Sequence, residues 1–445
     1  MSLYSQLLQR QEQNNPIKIG MVGAGKFGSM FLSQARTLAG VQIVGIVDLK
    51  PDVARSNLEY VGWPSEALDA NTVEDAVKSK KIYICEDIEQ LAASPHIDIM
   101  VEATGDPIAA VNHIITSFAN NKHVINVTVE ADAFCGAGLA KRAREAGVLY
   151  SLAYGDQPAL TAELVDWARC CGFPVMAAGR GHIWQPHFRL STPETVWDYW
   201  GLTKEQAERG RLNPKMFNAF LDGSKPAIES AAIANACGLQ VPEHGLSFPA
   251  GDVDDIPTLM RPISEGGTLE QSGMVEVISS LREDGSHVGY DIRKGVWVCI
   301  EADSDYIKNC FEEYKVVTDD SGRYCALYKR WHLIGLELGM SVATLGLRGE
   351  STGTPSAFIG DVACAAKAGL KAGAYLDGEG GATVYGALRP ATISTAQNYL
   401  PLGLCNGARL KRDVEVDELI KWDDVDIDSS ALAFTLRNET ISLIV

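Results

Sequence analysis

Lys225 and Glu229 stand four residues apart in Ser224-Lys225-Pro226-Ala227-Ile228-Glu229. On a helix that spacing puts an ammonium and a carboxylate on one face, within reach of each other. Asp222-Gly223-Ser224 is turn chemistry, and Pro226 suits a first helical turn. After it come Ala227, Ile228, Ala231, Ala232, Ile233, Ala234, Ala236 and Cys237. The helix is apolar almost all round and is expected to be buried. A buried carboxylate is costly unless it is paired. The pattern therefore points to a pocket wall in which Lys225 binds or protonates a substrate and Glu229 holds the ammonium. Ser224 and Lys225 at the helix N-terminus offer an anion cradle, and Asp222 and Lys215 sit just before it. The competing reading is a core helix whose Glu229 caps a neighbouring backbone.

Other candidate groups precede this stretch. "YGDQPAL" (154–160) carries Asp156 and Gln157 at a strand-to-helix junction. "AAGRGHIWQPHFRLSTP" (177–193) carries Arg180, His182, His187 and Arg189 among aromatic and proline residues. From Arg180 to Pro226, seven Lys or Arg face five carboxylates, a net +2 in a chain of net charge −18. That is a candidate anion site, although Lys204, Arg209 and Arg211 also suit a solvated surface. His182 and His187 lack the spacing of a helical metal pair, and no cysteine or carboxylate cluster joins them, so a metal requirement stays open. No GxSxG elbow supports a serine nucleophile.

A second constellation lies near the N-terminus. Gly23-Ala24-Gly25-Lys26-Phe27-Gly28 follows an apolar strand and opens a helical pattern. In such a turn the glycines serve the tight bend, the approach of backbone to a pyrophosphate, and helix–strand packing. Asp48 ends the next strand pattern twenty residues after Gly28, where a carboxylate accepts from ribose hydroxyls. Lys50 and Arg55 lie close by and could hold a 2′-phosphate, so NAD(H) and NADP(H) both fit. Thr104 and Gly105, in "EATG", end a later strand and would border the nicotinamide half. Asn126 stands at a similar strand end, with Thr128 beside it.

The elements that must position these groups alternate through the first 150 residues. Apolar runs at 17–25, 41–48, 81–85, 97–105, 122–129 and 148–155 read as strands. Helical spacing covers 26–40, 107–120 and 131–146, and 50–80 is long enough to add helix. This is the signature of an α/β, doubly wound parallel sheet. Residues 241–335 contain two strand-like stretches with a turn at Asp320-Ser321-Gly322. They are expected to form a sheet that covers the substrate helix and builds a dimer face. From about 346 the chain is rich in Gly and Ala. The resulting division is a Rossmann domain over 1–155, an α+β substrate and dimerisation domain over 156–345, and a small β-rich domain over 346–445.

Composition agrees with a globular protein: 46% of the residues are hydrophobic and 22% charged. The acidic balance disfavours nucleic acid and anionic membranes as partners. An anionic substrate therefore needs a local basic site. The ten cysteines are scattered without a CxxC pair, which is reduced-thiol usage and points to the cytoplasm. The polar start, "MSLYSQLLQRQEQNNP", lacks an apolar signal core.

The order of GAGKFG, EATG, Asn126 and the helix after Asp222-Gly223 resembles homoserine dehydrogenase. The chain is more closely similar to the 1-deoxy-D-xylulose 5-phosphate reductoisomerase-like (DRL) family, oxidoreductases built on that plan. The likeness lies in "GRGHIWQPHFRLSTPETVW", "RLNPKMFNAFLDGSKPAIESAAIANACGL" and "GVWVCIEAD". The resemblance implies NADPH-linked reduction of a small phosphorylated keto-sugar and a homodimer. It also implies isoprenoid-precursor synthesis, and "LPLGLCNGARLKRDVEVDELIKWDDVDID" resembles an SAF-type module. The two spaced aspartates and one lysine of homoserine dehydrogenase are not kept; Lys225 and Glu229 stand where its basic and acidic groups would be sought. A sugar-acid, hydroxy-acid or amino-acid dehydrogenase of the same plan, and a non-catalytic nucleotide-binding regulator, remain as alternatives.

Overall fold

The computed structural model describes residues 1–210 and 212–444; Arg211, counted above among the basic residues, lies outside them. The chain forms two compact units, 1–160 with 332–355, and 161–331 with 356 onward. The sequence-based division places 332–345 in its middle segment and 346–355 in its last. Packing instead assigns both stretches to the first unit.

The first unit is built on six parallel strands: β1 (Ile17–Val22), β2 (Val41–Val47), β3 (Tyr83–Cys85), β4 (Ile99–Glu102), β5 (His123–Asn126) and β6 (Tyr150–Leu152). Their order is β3-β2-β1-β4-β5-β6. This is the doubly wound arrangement, with its switch point between β1 and β4. The strands read as unbroken apolar runs because both faces of a parallel sheet are covered: Ile19, Met21, Ile46, Ile99 and Val101 are fully buried. Three helices follow strands at the sites of interest, namely α1 (Lys26–Ala35), α2 (Pro107–Ala119) and α3 (Val129–Glu145). The segment 50–80 holds the helices Pro51–Tyr60 and Val73–Ser79. Residues 332–355 return to this unit as the helix Gly339–Arg348, with Leu338, Val342 and Leu345 in the same core as Ile19 and Phe31. The returning chain is also fixed by hydrogen bonds: Ser341 Oγ accepts from the Tyr154 amide (2.8 Å), and the Thr352 amide donates to Ser151 Oγ (3.0 Å).

The second unit holds a mixed four-stranded sheet, with β7 (Val175–His182), β8 (Met274–Ser279), β9 (Val296–Glu301) and β10 (Tyr324–Lys329) in the order β10-β9-β7-β8. β7 runs parallel to β8 and antiparallel to β9. The turn expected at Asp320–Gly322 is present: Gly322 N–H donates to Asp319 O (2.9 Å), and Thr318 bridges Cys325 in antiparallel register. Helices α4 (Pro214–Leu221) and α5 (Ser224–Cys237) meet at Asp222-Gly223. α5 packs on β7 and β8, and also on the antiparallel pair β11 (Gly360–Ala366) and β12 (Val384–Pro390). Packing on so many sides explains its near-complete apolarity. A second short pair, β13 (Arg409–Leu410) and β14 (Val425–Asp426), completes a β-rich C-terminal part.

Candidate functional sites in the two units

The three glycines of the first turn differ in what surrounds them. Gly23 has φ +91°, and a Cβ there would come within 2.7 Å of the Ala103 carbonyl oxygen. A Cβ on Gly28 would lie 2.6 Å from the Gly23 oxygen and 2.9 Å from Met21 Cε. The fold itself requires both. A Cβ on Gly25 would meet nothing within 4 Å, and its φ of −70° is open to any residue. Gly25 begins α1 with no side-chain cap, and the first amides of a helix have no partner within the helix itself. Nothing in the chain needs a glycine at this position, whereas a ligand lying on the backbone does. Lys26 beside it is exposed, and Phe27 packs partly against the core.

Asp48 sits at the end of β2 with its carboxylate fixed by two backbone amides, Ala24 N–H (3.0 Å) and Lys50 N–H (2.9 Å). Ala24 is itself held, since its carbonyl accepts from Asn57 Nδ2 (3.0 Å). Arg55 is drawn away from a nucleotide role: its guanidinium donates to Leu68 O (2.7 Å) and approaches Asp69 (3.4 Å). Lys50 is exposed.

Around the switch point, Glu102 is buried at the end of β4 and organises its neighbours. The Thr104 hydroxyl donates to it (2.5 Å), the Thr128 hydroxyl donates to its other oxygen, and His113 Nδ1 stands 3.3 Å away. Gly105 N–H donates to Thr128 Oγ1 (3.0 Å). The Thr104 side chain is thus committed to Glu102, while Gly105, with φ +74° and nothing within 4 Å of a Cβ, borders open space. Asn126 is also committed: Nδ2 donates to Thr128 O (3.0 Å) and to Asp132 (2.9 Å), and Oδ1 accepts from Thr128 N–H (3.1 Å). Asn126, Asp132 and Asp156 line one small recess, and Asp156 Oδ1 accepts from the Gln157 amide (2.9 Å). Glu102 and Asp132 escaped the sequence reading because each sits in an apolar or helical run without local signal.

Burial pushes the Asp132 carboxyl up to about 7, opposed by hydrogen bonds from Tyr150 and Asn126 and reinforced by the charges of Glu130 and Asp156. Folded Asp132 therefore keeps a proton that the unfolded chain releases above its ordinary value of 3.8. Stability should fall as pH rises across that window and level off above about 7, because the folded state binds the extra proton throughout. Urea titrations across this range should show that decline in the wild type and a flatter curve in Asp132→Asn.

In the second unit, β7 sends Arg180 and His182, two residues apart, to one face of the sheet. Arg180 pairs with Glu229 of α5, and both are buried. The partner that Glu229 meets here comes from another element, in addition to anything on its own helix. His182 Nε2–H donates to Phe220 O (2.7 Å). Burial, with Arg180 adding to it, pushes the imidazole down to about 3. Burial thus favours the neutral imidazole, which donates to Phe220 O, over the cation expected for an anionic substrate.

Asp222, fully buried between α4 and α5, meets Lys367 Nζ at 2.7 Å and accepts from the Ser224 amide (2.8 Å). Burial raises its carboxyl above the ordinary range against the pull of Lys367 and Ser224. Lys367 also donates to Ser191 O (2.8 Å) and Gly381 O (2.6 Å). The Ser224 hydroxyl accepts from the Gly386 amide of β12 (2.8 Å). Asp222, Ser224 and Lys367 form a buried brace at the N-terminus of α5. Lys367 was missed by sequence reasoning; its only signal is a lone lysine closing the apolar run of β11. Lys215 is exposed, and its Nζ donates to Asp377 O (2.6 Å), a tie between α4 and a loop. Lys225 lies half-buried in the first turn of α5. Among the described residues no group of three or more His, Cys, Asp or Glu is placed to hold a metal.

Residues 155–338 match the family model for the catalytic domain of the oxidoreductase DRL. No curated protein sequence matches the chain. Among solved structures it is similar to the Bacillus subtilis protein yvaA, at 12% identity over 75% of this chain and 89% of that one, with a TM-score of 0.35. It is also similar to an NAD binding oxidoreductase from Klebsiella pneumoniae (16% identity, 40% and 47% coverage, TM-score 0.29). A third is myo-inositol dehydrogenase from Lactobacillus casei, solved with NAD(H) and myo-inositol (13% identity, 41% and 50% coverage, TM-score 0.29). The chain spans about half the length of the last two. The fold assignment rests on the chain's own strand order. The chain joins a doubly wound parallel sheet to a segment that matches an oxidoreductase catalytic domain. Among the described residues no helix is long and apolar enough to cross a membrane.

Proposed function

We propose that this protein is a nicotinamide-dependent oxidoreductase that interconverts a carbonyl and a CH–OH group on a small anionic substrate. The observation that carries the cofactor half is the open space in front of Gly25, in a fold that does not itself need glycine there. Gly23, Ala24, Gly25, Lys26, Phe27 and Gly28 would present backbone to the pyrophosphate, Asp48 would meet the ribose, and Gly105 would leave room toward the nicotinamide. A bound nicotinamide supplies or accepts the hydride. The second unit contributes the charged groups for substrate, with Lys225 as the residue that contacts its phosphate or reacting oxygen. Stabilising charge that develops on oxygen is usually the largest catalytic term. Arg180–Glu229 and Asp222–Lys367 hold the helix that carries Lys225.

The more specific reading is reduction of a phosphorylated keto-sugar of the 1-deoxy-D-xylulose 5-phosphate type, by a cytoplasmic homodimer with an SAF-like C-terminal part. The DRL catalytic-domain match over residues 155–338 supports its oxidoreductase part, and the ten free cysteines suit a reducing compartment. Fluorescence titration with NADH and NADPH, followed by a panel of phosphosugars, tests both levels. Lys225→Ala should lower kcat/KM at least tenfold, about 1.4 kcal/mol of transition-state stabilisation, with the dinucleotide Kd unchanged. Normal turnover with a lowered Tm would assign Lys225 to the core instead.

NADPH is the cofactor the resemblance implies, with Lys50 available for its 2′-phosphate. Asp48 opposes that phosphate by charge. Asp48→Asn should therefore shift the ratio of Kd values toward NADPH by about tenfold, or about 1.4 kcal/mol. An unchanged ratio would place the ribose elsewhere.

A further inference from the structure

Arg189 is placed in an unusual way for an arginine of an acidic chain. Its guanidinium carbon lies 5.4 Å from the Trp184 ring centroid and 4.8 Å from that of Tyr385. Trp184 is in turn stacked on Phe248 at 4.4 Å. Contacts to aromatic faces use the flat sides of a guanidinium and leave the in-plane N–H edge available. Arg189 Nε is buried without a hydrogen-bond partner, and no carboxylate lies within ion-pair distance of Arg189 among the described residues. A buried donor without an acceptor is costly, so it calls for an explanation.

A second guanidinium comes from β12. Among the described residues Arg389 donates only to the carbonyls of His244 (3.1 Å) and Leu388 (2.7 Å). Its pKa is lowered chiefly by burial, and the positive charge of Arg189 adds to that. The carboxylates nearby are already used. Asp361, opposite Arg389 across the strand pair, binds Arg437 and Ser394; Asp417 accepts from the Tyr385 hydroxyl (2.9 Å). Among the described residues neither guanidinium has a carboxylate within ion-pair distance: Arg189 rests on aromatic rings and Arg389 on backbone carbonyls.

We infer that Arg189, supported by Tyr385 and Trp184, and Arg389, held by the carbonyls of His244 and Leu388, form a subsite for the phosphoryl group of the substrate. The inference rests on the reading that the second unit carries the substrate site. A phosphate carries close to two negative charges and several acceptor oxygens, which two guanidiniums match; a carboxylate is satisfied by one bidentate arginine. Trp184 also covers Gly223, where a Cβ would lie 3.0 Å from its ring. The subsite is thereby tied through one side chain to the turn that begins α5, two residues before Lys225.

The test is calorimetric titration of the full chain with inorganic phosphate, and separately with acetate, at constant ionic strength. Saturable phosphate binding, weaker acetate binding, and at least a tenfold loss of phosphate affinity in Arg189→Gln and Arg389→Gln support the subsite. Arg389→Lys keeps the charge but loses the fork, and should lose affinity too; it serves if Arg189→Gln does not fold. No saturable phosphate binding, equal affinity for acetate, or unaltered affinity in the variants overturns it. NADH titration of the same samples separates the outcomes: failure of NADH binding removes the cofactor reading, while the phosphate result still judges the arginines.

Discussion

Gly25→Val should abolish dinucleotide binding, with at least a hundredfold rise in Kd for NADH and NADPH and a Tm within about a degree of wild type. The loss corresponds to about 2.7 kcal/mol. The three glycines of the turn differ in what a side chain would meet. A side chain at Gly23 or Gly28 collides with the chain's own backbone, so substitution there costs stability and confounds any binding result. At Gly25 a side chain meets no protein atom. Its branches would occupy the space in front of the first turn of α1, where the amides and the helix dipole favour an anion. Gly28→Ala is the matching control: it should lower Tm, because its Cβ has 2.6 Å to the Gly23 oxygen. Fluorescence titration beside a thermal melt reads both variants. Wild-type affinity in folded Gly25→Val would remove the dinucleotide site.

Lys367→Met should be the most damaging single change in the second unit. It leaves Asp222, fully buried, without the cation that meets it at 2.7 Å. Breaking one side of a buried pair typically costs about 3–5 kcal/mol, which for a unit of this size is a fall in Tm of roughly 10 °C. Two further results would identify the cause. Asp222→Asn in the same chain removes the orphaned charge and should recover much of the loss. Lys367→Met alone should also become less stable as pH rises above the ordinary carboxylate range. With its cation gone, Asp222 can stay buried only by keeping a proton that the unfolded chain has released. Equal Tm values in the single and double variants would show that Lys367 acts by packing instead.

The sheet was legible because a central parallel strand must be apolar on both faces, and each of β1 to β6 falls inside one of the runs at 17–25, 41–48, 81–85, 97–105, 122–129 and 148–155. Helix α5 was legible from composition and from the Asp222-Gly223 turn, and Gly223 indeed takes φ +87°. The charge partners that come from other elements were not. Spacing along one helix directs Glu229 to Lys225, but Arg180 reaches it from a strand forty-nine residues earlier in the chain. Lys367 reaches Asp222 from an element far along the chain, and no periodic pattern encodes a contact of that separation. The same limit hid the committed state of Thr104 and Asn126, whose partners Glu102 and Asp132 announce themselves only by being buried and hydrogen-bonded.

The helix Gly339–Arg348 sets an order of events during synthesis. Leu338, Val342 and Leu345 belong to the core that holds Ile19 and Phe31, and Gly346 lies so close to Ile17 that a Cβ would come within 2.6 Å. The six strands have all been translated by Leu152, but the helix that completes their cover over β5 and β6 follows some two hundred residues later. At about 5–20 residues per second that delay is roughly 10–40 s. Throughout it the nascent sheet carries an apolar face covered only in part, by the earlier helices, while the second unit is still being made. A stalled chain ending near residue 160 should therefore be protease-sensitive and bound by chaperones. One extended past Pro355 should acquire resistance in the first unit.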